Sequence, residues 1–366
     1  MVIGYHEILD FVQQMLPDMR VTRQRNLTWL VLGILRIRDA HLTVSEIARA
    51  ILTRSDHWYK FKRMWRFLSN TKWSPTECFR DVLGFVLDRF HAGTYLPVII
   101  DQSTLAGKWE ILWASIPFRG RALPIYFTLF RKTDFSDQDE NSQNLLEERF
   151  VRAVVSLFPD PQRLLLLFDR GYARVPLIQL LDALRVFYVI RVRGGTWVQF
   201  RSKYQGLLQN IPIRRGQLIW WRDALYQQQE QYPVNLAISL NETAEEPWYL
   251  VTNLRRAATT VNWYARRFRC EELFRDIKDQ LHLETIRLKG SERIERLLFG
   301  LVVAYLALTL IGVAAHRAGL RKKVCKDRIS PAWMALRLLH MPQFLKPRLV
   351  RKALLTYSWS LYYESG

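Results

Sequence analysis

The segment "LLFGLVVAYLALTLIGVAA", Leu297 to Ala315, is apolar apart from Tyr305 and Thr309. Such a run has two stable solutions: a helix across a bilayer, or a helix enclosed on all sides by a large soluble core. Arg293 and Arg296 precede it, and Arg317, Arg321, Lys322 and Lys323 follow it. Charge on both flanks gives no inside-outside asymmetry to orient a span, which favours the buried helix.

A chain of 366 residues, 49% of them hydrophobic, can build two or three domains with sizeable cores and is too apolar for disorder. Its 54 Lys and Arg against 34 Asp and Glu give a formal charge of +20. That excess points to a polyanionic partner, either nucleic acid or an anionic membrane. Cys78, Cys270 and Cys325 are odd in number and far apart, which argues against a disulfide framework and against a cysteine zinc site. A reducing, cytoplasmic setting fits. The opening "MVIGYHEILDFVQQMLPDMR" is interrupted by His6, Glu7 and Asp10 and lacks the apolar block of a signal peptide.

Residues 1 to 93 read as a basic helical domain. In "LTVSEIARAI", Thr43 stands three residues before Glu46, a capping-box start. The next helix, "HWYKFKRMWRFLSN", displays Lys60, Lys62, Arg63 and Arg66 among aromatics. The pair resembles a helix-turn-helix that binds DNA, although a helical bundle with a solvated basic face fits equally well. From Tyr95 the pattern turns to strands: "YLPVIID", "WEILWASIPF" and "ALPIYFTLF" as a meander, then helix, strand, helix, strand. This order predicts an α/β fold, a mixed sheet flanked by helices, over 94–194. Residues 195–256 hold short β runs and read as an all-β insertion. Residues 257–318 return to the core with a polar helix and the apolar helix, and 319–366 form a C-terminal helical region.

Two acids follow buried strands directly: Asp101 after "PVII" and Asp169 after "LLLLF". Strand ends are where open α/β sheets place their sites, although a single such Asp more often caps a turn. The stretch "NWYARRFRCEELFRDIKDQLHLE", 262–284, reads as one uninterrupted helix. On it Tyr264, Arg267, Glu271 and Lys278 project within roughly 60° of each other, beside an apolar arc of Trp263, Cys270, Leu273, Phe274, Ile277 and Leu281 that seats the helix on the sheet. Spaced ion pairs on a solvated face would look similar. Three carboxylates without a His or Cys cluster make a hard-oxygen site suited to Mg²⁺ or Mn²⁺. Two such ions suit an in-line phosphodiester displacement.

The spacing of Tyr264, Arg267, Glu271 and Lys278 resembles the YREK signature of the bacterial DDE transposases of the insertion-sequence-four family. "VIID" and "LLLLFDRGY" resemble its first and second acidic motifs, and "EPWYLVTNL" and "CEELFRDIKD" resemble the cut-and-paste transposases of composite transposons. The likeness covers roughly residues 95 to 316. It implies a ribonuclease-H-like core with a β insertion between the second Asp and the Glu, and a buried helix after the signature. It also implies that Asp101, Asp169 and Glu271 bind two Mg²⁺ ions, with Mn²⁺ as substitute, and that Tyr264, Arg267 and Lys278 hold DNA phosphates. Trp248 would stack on a base flipped out during hairpin formation. Partners would be double-stranded DNA, at terminal inverted repeats and at the target, and a second copy of the chain in the synaptic complex, with no membrane. The sequence departs from the best-known member at Phe268, where that protein has Trp, and in a shorter segment between Trp248 and Tyr264. A nuclease of the same fold, or a DNA-binding protein with a decayed site, would share the charge and the helices.

Overall fold

The computed structural model describes residues 3–37, 41–91, 93–135, 142–324, 329–356 and 359–360. Cys325 and part of the "RKKVCKDR" segment lie outside them. Five helices come first: α1 (Tyr5–Met15), α2 (Val21–Arg36), α3 (Val44–Ala50), α4 (His57–Leu68) and α5 (Phe79–Arg89). Thr43 caps α3, its hydroxyl accepting the Glu46 amide at 3.3 Å. β1 (Phe90–His91) leads into the main sheet.

Ten strands form that sheet among the described residues: β2 (Leu96–Leu105), β3 (Trp109–Phe118), β4 (Arg121–Phe130), β5 (Leu164–Phe168), β6 (Phe187–Val192), β7 (Trp197–Phe200), β8 (Tyr204–Leu207), β9 (Leu218–Tyr226), β10 (Tyr232–Ser239) and β11 (Trp248–Thr252). Their order is β4-β3-β2-β5-β6-β11-β10-β9-β7-β8. The centre, β2-β5-β6, is parallel. The β2-β3-β4 meander on one side is antiparallel, as is the wing beyond β6. β5 shows why "LLLLF" is continuously apolar: a central parallel strand is covered on both faces, and all five of its residues are buried. Helices α6 (Gln143–Leu157) and α7 (Val175–Ala183) supply the crossovers.

The β-rich stretch read as an insertion extends this same sheet. β11 pairs antiparallel with β6, Thr252 opposite Val189, so the remaining strands continue the central ladder. The N-terminal helices likewise share their apolar packing with the rest, one core cluster running from Ile3 to Leu354.

The uninterrupted helix expected over 262–284 is not present. α8 (Ala257–Tyr264) ends, a turn covers 265–268, and α9 (Arg269–Arg275) follows. A π-helical turn, Asp276–Gln280, and a 3₁₀ turn, Leu283–Thr285, complete the stretch. Through the break the amides of Arg266, Arg267, Arg269 and Cys270 bond to carbonyls three residues back. These tighter turns rotate Arg267 inward, away from the face an ideal helix would give it.

α10 (Ser291–Arg317) contains the apolar block. Among the described residues it is the one helix long and apolar enough to cross a membrane, and its most apolar window is entirely buried in the protein. It packs against α2, α4, β4, α12 (Pro331–Leu339) and α13 (Pro347–Leu355), with α11 (Arg321–Val324) joining it to α12. Being enclosed on all sides, it needs no polar face.

Candidate active site at the ends of the central strands

Ile100 on β2 pairs with Phe168 on β5. Asp101 and Asp169 are therefore the next residues along two adjacent chains whose backbones run about 4.8 Å apart. Asp169 follows β5 as expected, but Asp101 lies within β2, which continues to Leu105 because its antiparallel pairing with β3 outlasts the parallel pairing with β5. Asp101 is mostly covered. Its Oδ1 accepts the Gln102 amide at 2.9 Å, and its Oδ2 accepts from Arg267 Nη1 at 3.0 Å and from the Cys270 thiol at 2.8 Å. Burial raises its pKa, and the Cys270 hydrogen bond and Arg267 oppose that rise. Burial and then Asp101 also push the Cys270 thiol far up, so the sulfur stays protonated and serves as a donor.

Glu271 reaches this pair through Arg267. The guanidinium is 4% exposed and donates from Nη2 to Glu271 Oε1 at 2.7 Å while holding Asp101 with Nη1. Burial alone would lower the Arg267 pKa, but Tyr264 and Asp101 beside it hold it above its ordinary value. Phe268 lies under the guanidinium, with the ring centroid 4.6 Å away. Arg267 thus stands between two of the three acids. Asp169 acts on the same group electrostatically, as a charge near Asp101, Arg267 and Tyr264.

The predicted polar stripe is only partly assembled. Tyr264 is wholly buried, and burial pushes its phenol up to about 12. Trp248 meets it edge-on at 5.1 Å and stacks on Phe268 at 5.7 Å. Lys278, carried round by the π turn, donates to the Thr104 carbonyl at 2.8 Å and pairs with Glu284 at 3.0 Å. It sits at the far end of β2. Tyr264 and Arg267, expected to reach DNA phosphates, are turned into the protein in this structure.

Residues that sequence reasoning passed over anchor the site. Asp276 pairs with Arg121 at 3.0 Å and accepts from the Tyr305 hydroxyl at 3.2 Å, tying the π turn to β4 and to α10. Tyr305 was visible as a polar interruption of an apolar run, but nothing in the pattern named its partner. Behind Asp101, Gln102 bonds Glu110 at 2.9 Å and Gln143 at 3.0 Å, and Gln143 in turn bonds Glu147 at 2.9 Å. Arg170, the residue after Asp169, lines a cavity of about 380 Å³ together with Arg191, Arg193, Gln209, Glu246 and Tyr249 among others.

On α4, Lys62 and Arg66 face solvent. Lys60 donates to the Ile51 carbonyl at 2.9 Å, tying α4 to the end of α3, and Arg63, also exposed, donates to Asn26 Oδ1 of α2 at 2.8 Å. Trp58, Phe61 and Trp65 stack in a row along the same helix, with Lys62 over Trp58 at 4.9 Å.

Among the described residues, no three His, Cys, Asp or Glu side chains converge into a ready metal site. The physical reason is Arg267, whose charge takes the position between Asp101 and Glu271. The donor set still fits a hard divalent ion. Asp101 and Asp169 offer oxygens from adjacent strands, Glu271 is half exposed, and no imidazole is present among them.

A mixed sheet with a parallel centre, one acid within β2 and one just after the adjacent β5, and a third acid on an apposed helix are consistent with a ribonuclease-H-like transposase. Residues 128–307, just under half of the chain, match the family model described as Transposase DDE domain. The matched span includes Asp169, Arg267 and Glu271 and begins after Asp101. No curated protein matches the chain. The likeness supports a DDE transposase, a class that acts on DNA and generally uses divalent metals.

Proposed function

We propose that the protein is a cut-and-paste DNA transposase of the insertion-sequence-four kind, working in the cytoplasm on the terminal inverted repeats of its element. The observation that carries this reading is the register of Asp101 beside Asp169, with Glu271 linked to Asp101 through Arg267. Asp101, Asp169 and Glu271 would hold two Mg²⁺ ions, or Mn²⁺ in their place. When bound, such ions activate the attacking oxygen and stabilise the leaving one.

The chain's own residues position DNA. Arg267 would leave the acids and take a phosphate once they are neutralised, a bidentate role its guanidinium suits. Lys278 and Tyr264 would flank it, and the exposed Lys62 and Arg66 of α4 would contact the terminal repeat, with Lys60 and Arg63 shaping that surface. Trp248, already stacked on Phe268, offers a ring to a base displaced from the helix. Water frees a 3′ hydroxyl, that hydroxyl attacks the opposite strand to give a hairpin, water reopens it, and the 3′ end attacks target DNA. Two copies of the chain would synapse two ends.

The test is a denaturing-gel assay with labelled duplex carrying the element's terminus and Mg²⁺, comparing wild type with Glu271→Ala. A nick followed by a hairpin in wild type is expected, with at least about a 100-fold loss in the mutant, the scale at which losing transition-state charge stabilisation is felt. Binding of the end should persist. Cleavage without strand transfer would leave a nuclease; binding without cleavage would leave a DNA-binding remnant.

A further inference from the structure

The turn after β5, "FDRGYAR", carries a residue that the reading above does not use. Tyr172 closes the 3₁₀ turn Arg170–Tyr172, and its amide donates to the Asp169 carbonyl at 3.1 Å. Its ring lies against Phe168 with centroids 5.3 Å apart, and the residue is 5% exposed. Its hydroxyl nevertheless meets no hydrogen-bond partner among the described residues. A buried polar group left unpaired costs about 1–3 kcal/mol. Phenylalanine would fill the same space without that cost.

The surroundings of this hydroxyl are charged. Burial first, then Glu147 and Asp101, hold the phenol well above its ordinary pKa, and Arg174 and Asp169 are the other charges acting on it. It is a donor and not a base. The carboxylates nearby differ in how many donors they already hold. Glu147 accepts from Gln143 at 2.9 Å and from Arg174 at 2.6 Å. Both oxygens of Asp101 are taken by Gln102, Arg267 and Cys270. The Asp169 carboxylate forms no hydrogen bond among the described residues, and it stands three residues from Tyr172 in the same turn.

We infer that Tyr172 is a positioning residue whose hydroxyl fixes the orientation of the Asp169 carboxylate when Asp101 and Asp169 together hold a divalent cation. This rests on the proposed reading of those two acids as metal ligands. Among the described residues the hydroxyl has no partner, and a cation that draws the Asp169 carboxylate toward Asp101 would bring that acceptor to it. Strain and unpaired groups of this kind persist at sites where a ligand resolves them. Partners that orient a ligating carboxylate typically change metal affinity about 10–100-fold when removed.

The experiment uses full-length Tyr172→Phe, with Mn²⁺ as probe and no DNA, read by isothermal titration beside thermal unfolding in chelator. The expected result is a Mn²⁺ affinity lower by about 10–100-fold, together with a metal-free Tm equal to or above that of wild type. Unchanged Mn²⁺ affinity overturns the inference, and so does a lowered Tm without a change in affinity, since the hydroxyl would then have a structural partner. Asp169→Asn separates the two levels. If it loses Mn²⁺ while Tyr172→Phe keeps it, only the role of Tyr172 fails. If Asp169→Asn binds as wild type does, or wild type takes up no Mn²⁺ at millimolar concentration, the metal reading and the inference fall together.

Discussion

Arg267 satisfies its charge inside the protein, on Asp101 and Glu271. A buried carboxylate needs such a counter-charge, because removing one partner of a buried pair leaves an uncompensated charge costing about 3–5 kcal/mol. The guanidinium and a divalent cation compete for the same oxygens. Arg267→Gln should therefore bind Mn²⁺ more tightly than wild type in the absence of DNA, as measured by loss of the free Mn²⁺ signal in electron paramagnetic resonance. The same variant should nick DNA more slowly, having no guanidinium to give to a phosphate. Weaker Mn²⁺ binding would mean that Arg267 orients the acids and does not compete for them. The acids themselves were legible in the sequence, because an Asp at the end of an apolar run is visible in one dimension. The inward turn of Arg267 was not, because it depends on a break in the helix that no breaker residue announces: the stretch 262–284 contains neither Gly nor Pro.

At the scale of elements, the segment carrying Glu271 and Lys278 shows how periodicity misleads. A π turn inserts extra backbone between them, so the count of 100° per residue that put them on one stripe no longer holds. Asp276 fastens that turn to Arg121 and Tyr305, which makes the irregular geometry part of the packed core. The same core depends on close approach between helices. At Gly312 of α10 an added Cβ would stand 1.8 Å from the Pro331 carbonyl oxygen of α12. The backbone there cannot yield as a flexible side chain would. Gly312→Ala should lower stability by about 1–3 kcal/mol, the usual range for overpacking, read as a lower urea midpoint at unchanged m-value. Wild-type stability would show that α12 shifts without consequence.

For the whole molecule, the charge of +20 is the property most exposed to solution conditions. Binding to a duplex carrying the element's end should weaken steeply with salt, because each neutralised phosphate releases counterions. Lys62→Ala together with Arg66→Ala should flatten the plot of log K against log salt by about 2, measured by fluorescence anisotropy. An unchanged slope would remove α4 from the DNA surface. The sequence by itself determined the elements: the enclosed helix at 297–315, the meander, the crossover order, and the two acids that close the apolar runs of β2 and β5. These follow from local patterns of burial, which the chain records residue by residue. Only the tertiary structure decided that the β-rich stretch joins the central sheet, that Lys60 ties α4 to the end of α3, and that Arg267 bridges Asp101 and Glu271. Such facts arise from contacts between residues as much as 166 positions apart, and the direction of a long charged side chain is set by those partners and not by its neighbours in the chain.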